Sequence, residues 1–265
     1  MDTIAICAIF KNEAPFLLEW IAFHRTIGVD HFFLYDNGSE DGGADRVRQS
    51  SLGRYATLID WPDRPGQISA YRDFIEHHAK QFTWVGFIDL DEFIHLLNDN
   101  SLRDVLSRPR YDRFSAVLLN WTMFGPSGHD RRPDGLVIDA YVRRLPDDDA
   151  GNRHVKSIVR SAHLQGVGPT PHVFPTTGPS CNASGDETPS HAIQASVCHD
   201  TMILNHYFTR SREDWETKLQ RGRADTPDES AAQYHMSMFD GFAAQATVED
   251  RRIGRFAPRL RWVMR

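Results

Sequence analysis

An α/β fold built on a mixed, mostly parallel sheet flanked by helices is what this chain of 265 residues predicts. Three observations point to it. Apolar runs of strand length alternate with helix-patterned segments over roughly the first 95 residues, as βαβ units require. The leading run is continuously apolar rather than alternating, as a strand buried on both faces is. Three of the runs end in polar clusters, at Lys11-Asn12-Glu13, Asp36-Asn37 and Asp89-Leu90-Asp91. Ligands of such sheets bind beyond the carboxyl ends of the strands, so the three clusters converge on one rim.

Taken in order, "TIAICAIF" (3–10) is the first buried strand. Asn12 is placed to cap the following helix, with Pro15 in its first turn. Leu17, Trp20, Ile21 and His24 recur at helical spacing, and Gly28 can stop the helix. "HFFLYDNGSEDGG" is a second strand ending in a turn, and "ATLID" (56–60) a third. "QISAYRDFIEHHAKQF" (67–82) is a helix and "TWVGFI" the next strand. In the second half "SAVLLNW", "GLVIDAYVRR" and "HVKSIVR" are strand-like. Residues 165–200 hold five prolines among many Ser, Thr and Gly residues, a stretch long enough to be a lid or a binding loop. "TMILNHYF" (201–208) resumes a strand. "SREDWETKLQRGRAD" opens a helix with a capping box, Ser211 followed three residues later by Asp214.

Composition narrows the class. The chain is 40% hydrophobic and 25% charged, ordinary for a globular protein. Its formal net charge of −6 argues against nucleic acid as a partner. "MDTIAICAIF" has an acid where a secretory leader carries basic residues. Cys7, Cys181 and Cys198 form no CxxC pair, and an odd count suits a reducing compartment. A cytoplasmic location is therefore expected. The last segment, "RRIGRFAPRLRWVMR", is basic, with Ile253, Phe256, Leu260, Trp262 and Val263 interleaved. It fits either a last strand or turn packed on the body or a tail making peripheral membrane or partner contact.

The chemistry is concentrated in "WVGFIDLDEFIHLL". An ionised carboxylate in apolar surroundings is costly unless something pairs with it. An apolar strand followed by D-x-D delivers Asp89 and Asp91 together at a strand end, with the middle residue turned away. Mg²⁺ and Mn²⁺ are held by a few such carboxylates together with substrate phosphates. Two other readings stand beside this one. One is a capped turn whose aspartates accept backbone N–H groups. The other is a phosphohydrolase with Asp89 as nucleophile, although such motifs lie near the N-terminus with Thr or Val fifth, and here the fifth residue is Phe93.

"FKNEAPFLLEWIAFHRTIGVDHFFLYDNGSEDG", "GQISAYRDF" and "WVGFIDLDEFI", in that order, resemble the bacterial side of glycosyltransferase families 2 and 92. "NWTMFGPSGHDRRPDGLV", "VKSIVR", "HVF" and "NHYFTRSREDWETKLQRGRAD" agree with them. The resemblance spans about residues 3–225, and its specificity lies in the order and spacing of the motifs rather than in any single one.

This resemblance implies a GT-A fold: a Rossmann-like nucleotide-sugar half over 1–100, an acceptor half over 101–250 and the basic tail over 251–265, all one structural domain. It implies a nucleoside-diphosphate sugar donor, a UDP-sugar, used with Mn²⁺ or Mg²⁺. The acceptor is then a hydroxyl of a saccharide or a lipid-linked saccharide. Asp91, with Asp89, would hold the metal. His206 or, less strongly, His172 would complete its shell, the alternative for His206 being a core histidine. Glu13 and Asp36, with Lys11, Asn12 and Asn37 beside them, would contact ribose or base. A helix-dipole partner and a turn former are the plainer readings of Glu13 and Asp36-Asn37. Gln67, Tyr71 and Arg72 would lie near the nucleotide, or form an ordinary amphipathic helix. Lys156, Arg210, Lys218, Arg221 and Arg223 would face the diphosphate, or be a solvated basic face. The family 92 resemblance favours inversion, which needs a general base. Asp130 is the first candidate, then His129, Glu213 or Asp214. Trp121 and Phe124 would be acceptor platforms, or core. A nucleotide-sugar binding protein without turnover fits the same acids.

Overall fold

The computed structural model describes residues 2–221 and 234–265. Its first half runs β1 (Ile4–Phe10), α1 (Leu17–Thr26), β2 (His31–Asp36), α2 (Gly43–Gln49), β3 (Ala56–Asp60), α3 (Gln67–His77) and β4 (Trp84–Phe87). β5 (Glu92–Leu96), α4 (Leu102–Leu106), β6 (Ala116–Met123), α5 (Val137–Ala140), β7 (Arg143–Arg144) and β8 (Val155–Arg160) follow. The chain continues through β9 (Ser180–Cys181), β10 (Glu187–Thr188), β11 (Met202–His206), α6 (Arg212–Arg221), α7 (Met236–Gln245), β12 (Val248–Glu249) and α8 (Ala257–Val263).

One sheet runs β10-β9-β6-β8-β4-β1-β2-β3. The β4-β1-β2-β3 half is parallel, and β8 enters antiparallel between β4 and β6. This is the mixed α/β architecture, with a mostly parallel leading half, expected from the sequence. Every residue of β1 is buried, and period-2 geometry divides them between two cores. Ile4, Ile6, Ala8 and Phe10 join the cluster under α1, with Trp20, Ile21 and Phe23. Ala5, Cys7 and Ile9 join the cluster under α3, with Ala70, Tyr71 and Phe74. Burial on both faces is why this strand is apolar without alternation. Phe10, Asp36 and Asp60 lie abreast, so the first three parallel strands finish level at one rim.

β11 leaves the main path to pair antiparallel with β5 and parallel with β6. Its last residue, His206, stands opposite Glu92 and beside Met123. Two segments distant in sequence are thereby brought against the turn that follows β4.

Four local expectations are corrected. "GLVIDAYVRR" is not one strand but the short helix α5 followed by β7. Its first turn is held from outside, because the buried Glu19 carboxylate accepts the N–H groups of Val137 (2.8 Å) and Ile138 (3.3 Å). Asn12 caps no helix. Its backbone is left-handed (φ 53°) and its side chain accepts the Glu40 N–H instead, while α1 begins at Leu17 after a turn closed on the Glu13 carbonyl. The helix expected over 67–82 ends at His77, and a 3-10 turn follows. The basic C-terminal segment packs on the body, as one of its two readings expects, but as a helix rather than a last strand or turn. α8 packs on α1 through Leu260, with Ile253, Phe256 and Ala257 also in the core and Trp262 exposed. Among the described residues no helix is long and apolar enough to cross a membrane.

Candidate active site

The turn Asp89-Leu90-Asp91 joins β4 to β5 and turns Leu90 into the core. The indole of Trp20 braces it by donating to the carbonyls of Asp89 and Glu92 (3.1 and 2.8 Å). Above the turn opens a cleft of about 430 Å³, a size suited to a nucleotide-sized ligand. Both aspartates line it, and so do Lys11, Glu13, Asn37, Gln67, Trp121, Lys156, His172, His206, Lys218 and Arg221.

Each carboxylate of the cleft has protein partners. Asp89 accepts from Gln67 Nε2 (2.9 Å) and Lys156 Nζ (2.8 Å). Asp91 accepts from Lys218 Nζ (2.8 Å) through Oδ2, and its Oδ1 lies 3.5 Å from His206 Nε2. Glu13 accepts from Arg210 Nη1 (2.7 Å) and from Arg221. Arg210 also donates to the Leu90 carbonyl (2.9 Å) and covers the Phe16 ring at 3.5 Å. These pairs explain how acids survive in apolar surroundings. Burial opposes the charge on Asp91, but Lys218, His206 and Arg210 outweigh it and hold the carboxyl well below the usual range. Burial likewise works against Glu13, and Arg210 and Arg221 win. Lys156 is buried too, yet Asp89 and Glu92 keep its pKa raised. Glu92, inward from the cleft, is pushed up by burial.

Asp91 Oδ1 and His206 Nε2 suit two ligands of one divalent cation. His206 Nδ1 is buried with no partner among the described residues. Both Asp89 oxygens already accept hydrogen bonds. Among the described residues no group of three or more His, Cys, Asp or Glu side chains is arranged to hold a metal. Any further ligands would come from substrate or water.

Other expected residues fall differently. Asp36 accepts the Ser39 N–H (2.8 Å) as a turn former and does not line the cleft. Asn37 does line it, but its amide is spent on the carbonyls of Trp61 and Asp63 (2.7 and 2.8 Å). Arg72 is exposed on α3 and outside the cleft, and Tyr71 is buried beneath the sheet. Asn12 lies outside the cleft, and Arg210 acts from below through Glu13. Arg223 lies outside the described residues.

The expected bases also lie outside the cleft lining. Asp130 is 86% exposed beside Arg212, and His129 belongs to a separate hollow with Gly135 and Arg143. Asp214 is committed to capping α6 and to Arg132, and Glu213 accepts the Arg132 N–H. Phe124 is fully buried against Tyr207 and offers no platform. Trp121 reaches the cleft but is flanked by three imidazoles, those of His154, His172 and His206.

Several lining residues escaped the sequence reading: Arg64, His154, Phe208, Tyr234, Met238 and Phe242. Phe208 belongs to "NHYF", two residues beyond His206, so strand-end position was a usable signal for it. The others sit on loops or on α7 with no local pattern to mark them.

The sequence model of glycosyltransferase family 92 matches residues 3–168. A glycosyltransferase family 92 protein of Oryza sativa subsp. japonica is 36% identical over 163 residues, covering 60% of this chain and 27% of its own length. One from Ricinus communis is 34% identical over 167 residues, covering 59% and 28%. The chain thus spans little more than a quarter of the length of the curated relatives it matches. Among solved structures, S. aureus TarS 1-349 aligns with a TM-score of 0.41 at 13% identity, over 60% of this chain and 47% of that one.

Proposed function

This chain belongs to glycosyltransferase family 92, and on that premise we propose that its cleft transfers a sugar from a UDP-sugar to an acceptor hydroxyl of a saccharide or glycolipid, with inversion and with a divalent cation. The observation that carries the proposal is the meeting of Asp91, His206, Lys218, Arg221 and Lys156 around one cleft at the carboxyl ends of parallel strands. That is a constellation suited to a diphosphate.

In this reading Gln67 and Lys156 hold Asp89 in place beneath the diphosphate. Asp91 and His206 would hold Mn²⁺ or Mg²⁺. Lewis-acid stabilisation of the departing nucleoside diphosphate is the chemistry such an ion supplies there. Lys218 and Arg221 approach from α6 and add cationic donors on the same side. Glu13 orients Arg221 and Arg210. The aromatic side of the cleft, Phe208, Tyr234 and Phe242, receives the acceptor.

Thermal-shift measurement against a panel of nucleotides and UDP-sugars, with and without Mn²⁺, tests the reading. A ligand about 100-fold above its Kd should raise the Tm by about 5 °C. UDP with Mn²⁺ is expected to do so, and more than ADP does. No shift with any nucleotide would sink the proposal.

A further inference from the structure

Among the described residues, each carboxylate that lines the cleft already holds a cation: Glu13 two arginines, Asp89 Lys156, and Asp91 Lys218. The cations beside Glu13 and Asp91 favour their charged forms over taking a proton, while Asp130 and His129 lie elsewhere. An inverting transfer still needs a group to take the acceptor proton.

Two histidines in the cleft are set up differently from its acids. His154 Nδ1 lies 3.2 Å from the Gly151 carbonyl, and His172 Nδ1 lies 2.8 Å from the Val155 carbonyl. A carbonyl only accepts, so in each neutral ring Nδ1 carries the hydrogen and Nε2 keeps the lone pair. Both rings line the cleft. Among the described residues neither Nε2 has a hydrogen-bond partner, and neither is a sealed, orphaned atom. The ring planes are held by Trp121. His154 stacks on it with centroids 4.8 Å apart and an 18° interplanar angle, and His172 meets its edge at 5.4 Å. His172 is held down to about 4, by burial first and then by Lys156. It therefore suits accepting a hydrogen bond better than keeping a proton. His154 is partly exposed at the cleft wall.

We propose that His154 is the general base of the transfer, its Nε2 presented to the acceptor hydroxyl by the Gly151 carbonyl and the Trp121 ring. The inference rests on the glycosyl-transfer reading above. The acceptor oxygen bonds to the anomeric carbon as the bond from that carbon to the diphosphate oxygen breaks. The bonding pair leaves with the nucleoside diphosphate, the hydroxyl proton passes to His154 Nε2, and the imidazolium later returns it to water. Titratable groups near His154 include His172, with centroids 6.0 Å away, and Arg153 and Lys156 on the same segment.

The test compares wild type with His154→Gln. UDP affinity is measured by calorimetry with Mn²⁺, and UDP release is followed from UDP-glucose, UDP-galactose and UDP-N-acetylglucosamine with water or a disaccharide as acceptor. The variant should bind UDP within about twofold of wild type and release it at least about 100-fold more slowly. The wild-type kcat/KM should fall on the acid side, where a protonated base cannot act, and the variant should lack that limb. Turnover within about threefold of wild type, the same acid limb in the variant, or loss of UDP binding in step with turnover would each overturn the assignment. A wild-type protein that neither binds UDP nor releases it from any donor overturns the glycosyl-transfer reading itself, and this one with it.

Discussion

At His24 one imidazole joins α1 to β5. Its Nδ1–H donates to the Trp20 carbonyl (2.8 Å), and its Nε2 accepts the Ile94 N–H (3.2 Å). The ring is fully buried, and burial lowers its pKa to about 3. A depressed histidine contributes stability that is present above the unfolded-state pKa of about 6.5 and is lost as pH falls toward 3. Between pH 7 and pH 4.5 the loss from this group should reach about 2 kcal/mol. Urea denaturation of wild type and His24→Gln at both pH values isolates it, and equal pH sensitivity in the two proteins would refute the assignment. Arg210 and Glu13, 6% and 5% exposed, form a buried pair. Arg210→Met should lower stability by about 3 kcal/mol, because it leaves Glu13 only Arg221 and strips the cation from the Phe16 ring. A loss under about 1 kcal/mol would show the pair to be dispensable.

Among the elements, α6 matters most to the cleft because it carries Lys218 and Arg221. Its start is a reciprocal capping box: Asp214 N–H donates to Ser211 Oγ (3.1 Å), and Ser211 N–H and Oγ–H donate to Asp214 Oδ2 (3.3 and 2.6 Å). Ser211→Ala should cost about 1 kcal/mol and speed amide exchange in the first turn of α6, with weaker UDP binding as the helix frays. Unchanged exchange there would mean that packing through the buried Trp215 alone sets the helix start. This cap was legible in the sequence because both partners lie within one turn of each other. The start of α5 was not, since its N–H groups are accepted by Glu19, 118 and 119 positions away. Read locally, Val137 and Ile138 look like strand residues, and a distant carboxylate overrides that preference.

Over the whole molecule, charge is unevenly placed. The chain carries a formal −6, yet among the described residues the cleft is lined by five cations (Lys11, Arg64, Lys156, Lys218 and Arg221) against three carboxylates, Glu13, Asp89 and Asp91. A positive cleft in a negative body draws anions to itself rather than to the surface at large. UDP affinity should therefore weaken about tenfold as ionic strength rises from roughly 0.05 to 0.5 M, because screening shortens the reach of those charges. Calorimetry across that range checks it, and a flat response would mean that binding rests on base and ribose contacts instead.

The sequence alone determined the α/β class, the parallel leading strands and the arrival of Glu13, Asp89 and Asp91 at one rim. All of these follow from local periodicity and from where apolar runs stop. Tertiary structure alone decided which cation each acid meets, and that Asp36, Arg72, Asp130 and Phe124 stay outside the cleft while His154 and Phe208 enter it. The reason is physical. β8, β11 and α6 reach the rim through pairings with β4, β5 and β6 and through packing. A side chain's neighbours across such pairings depend on register and crossover, which no local pattern encodes.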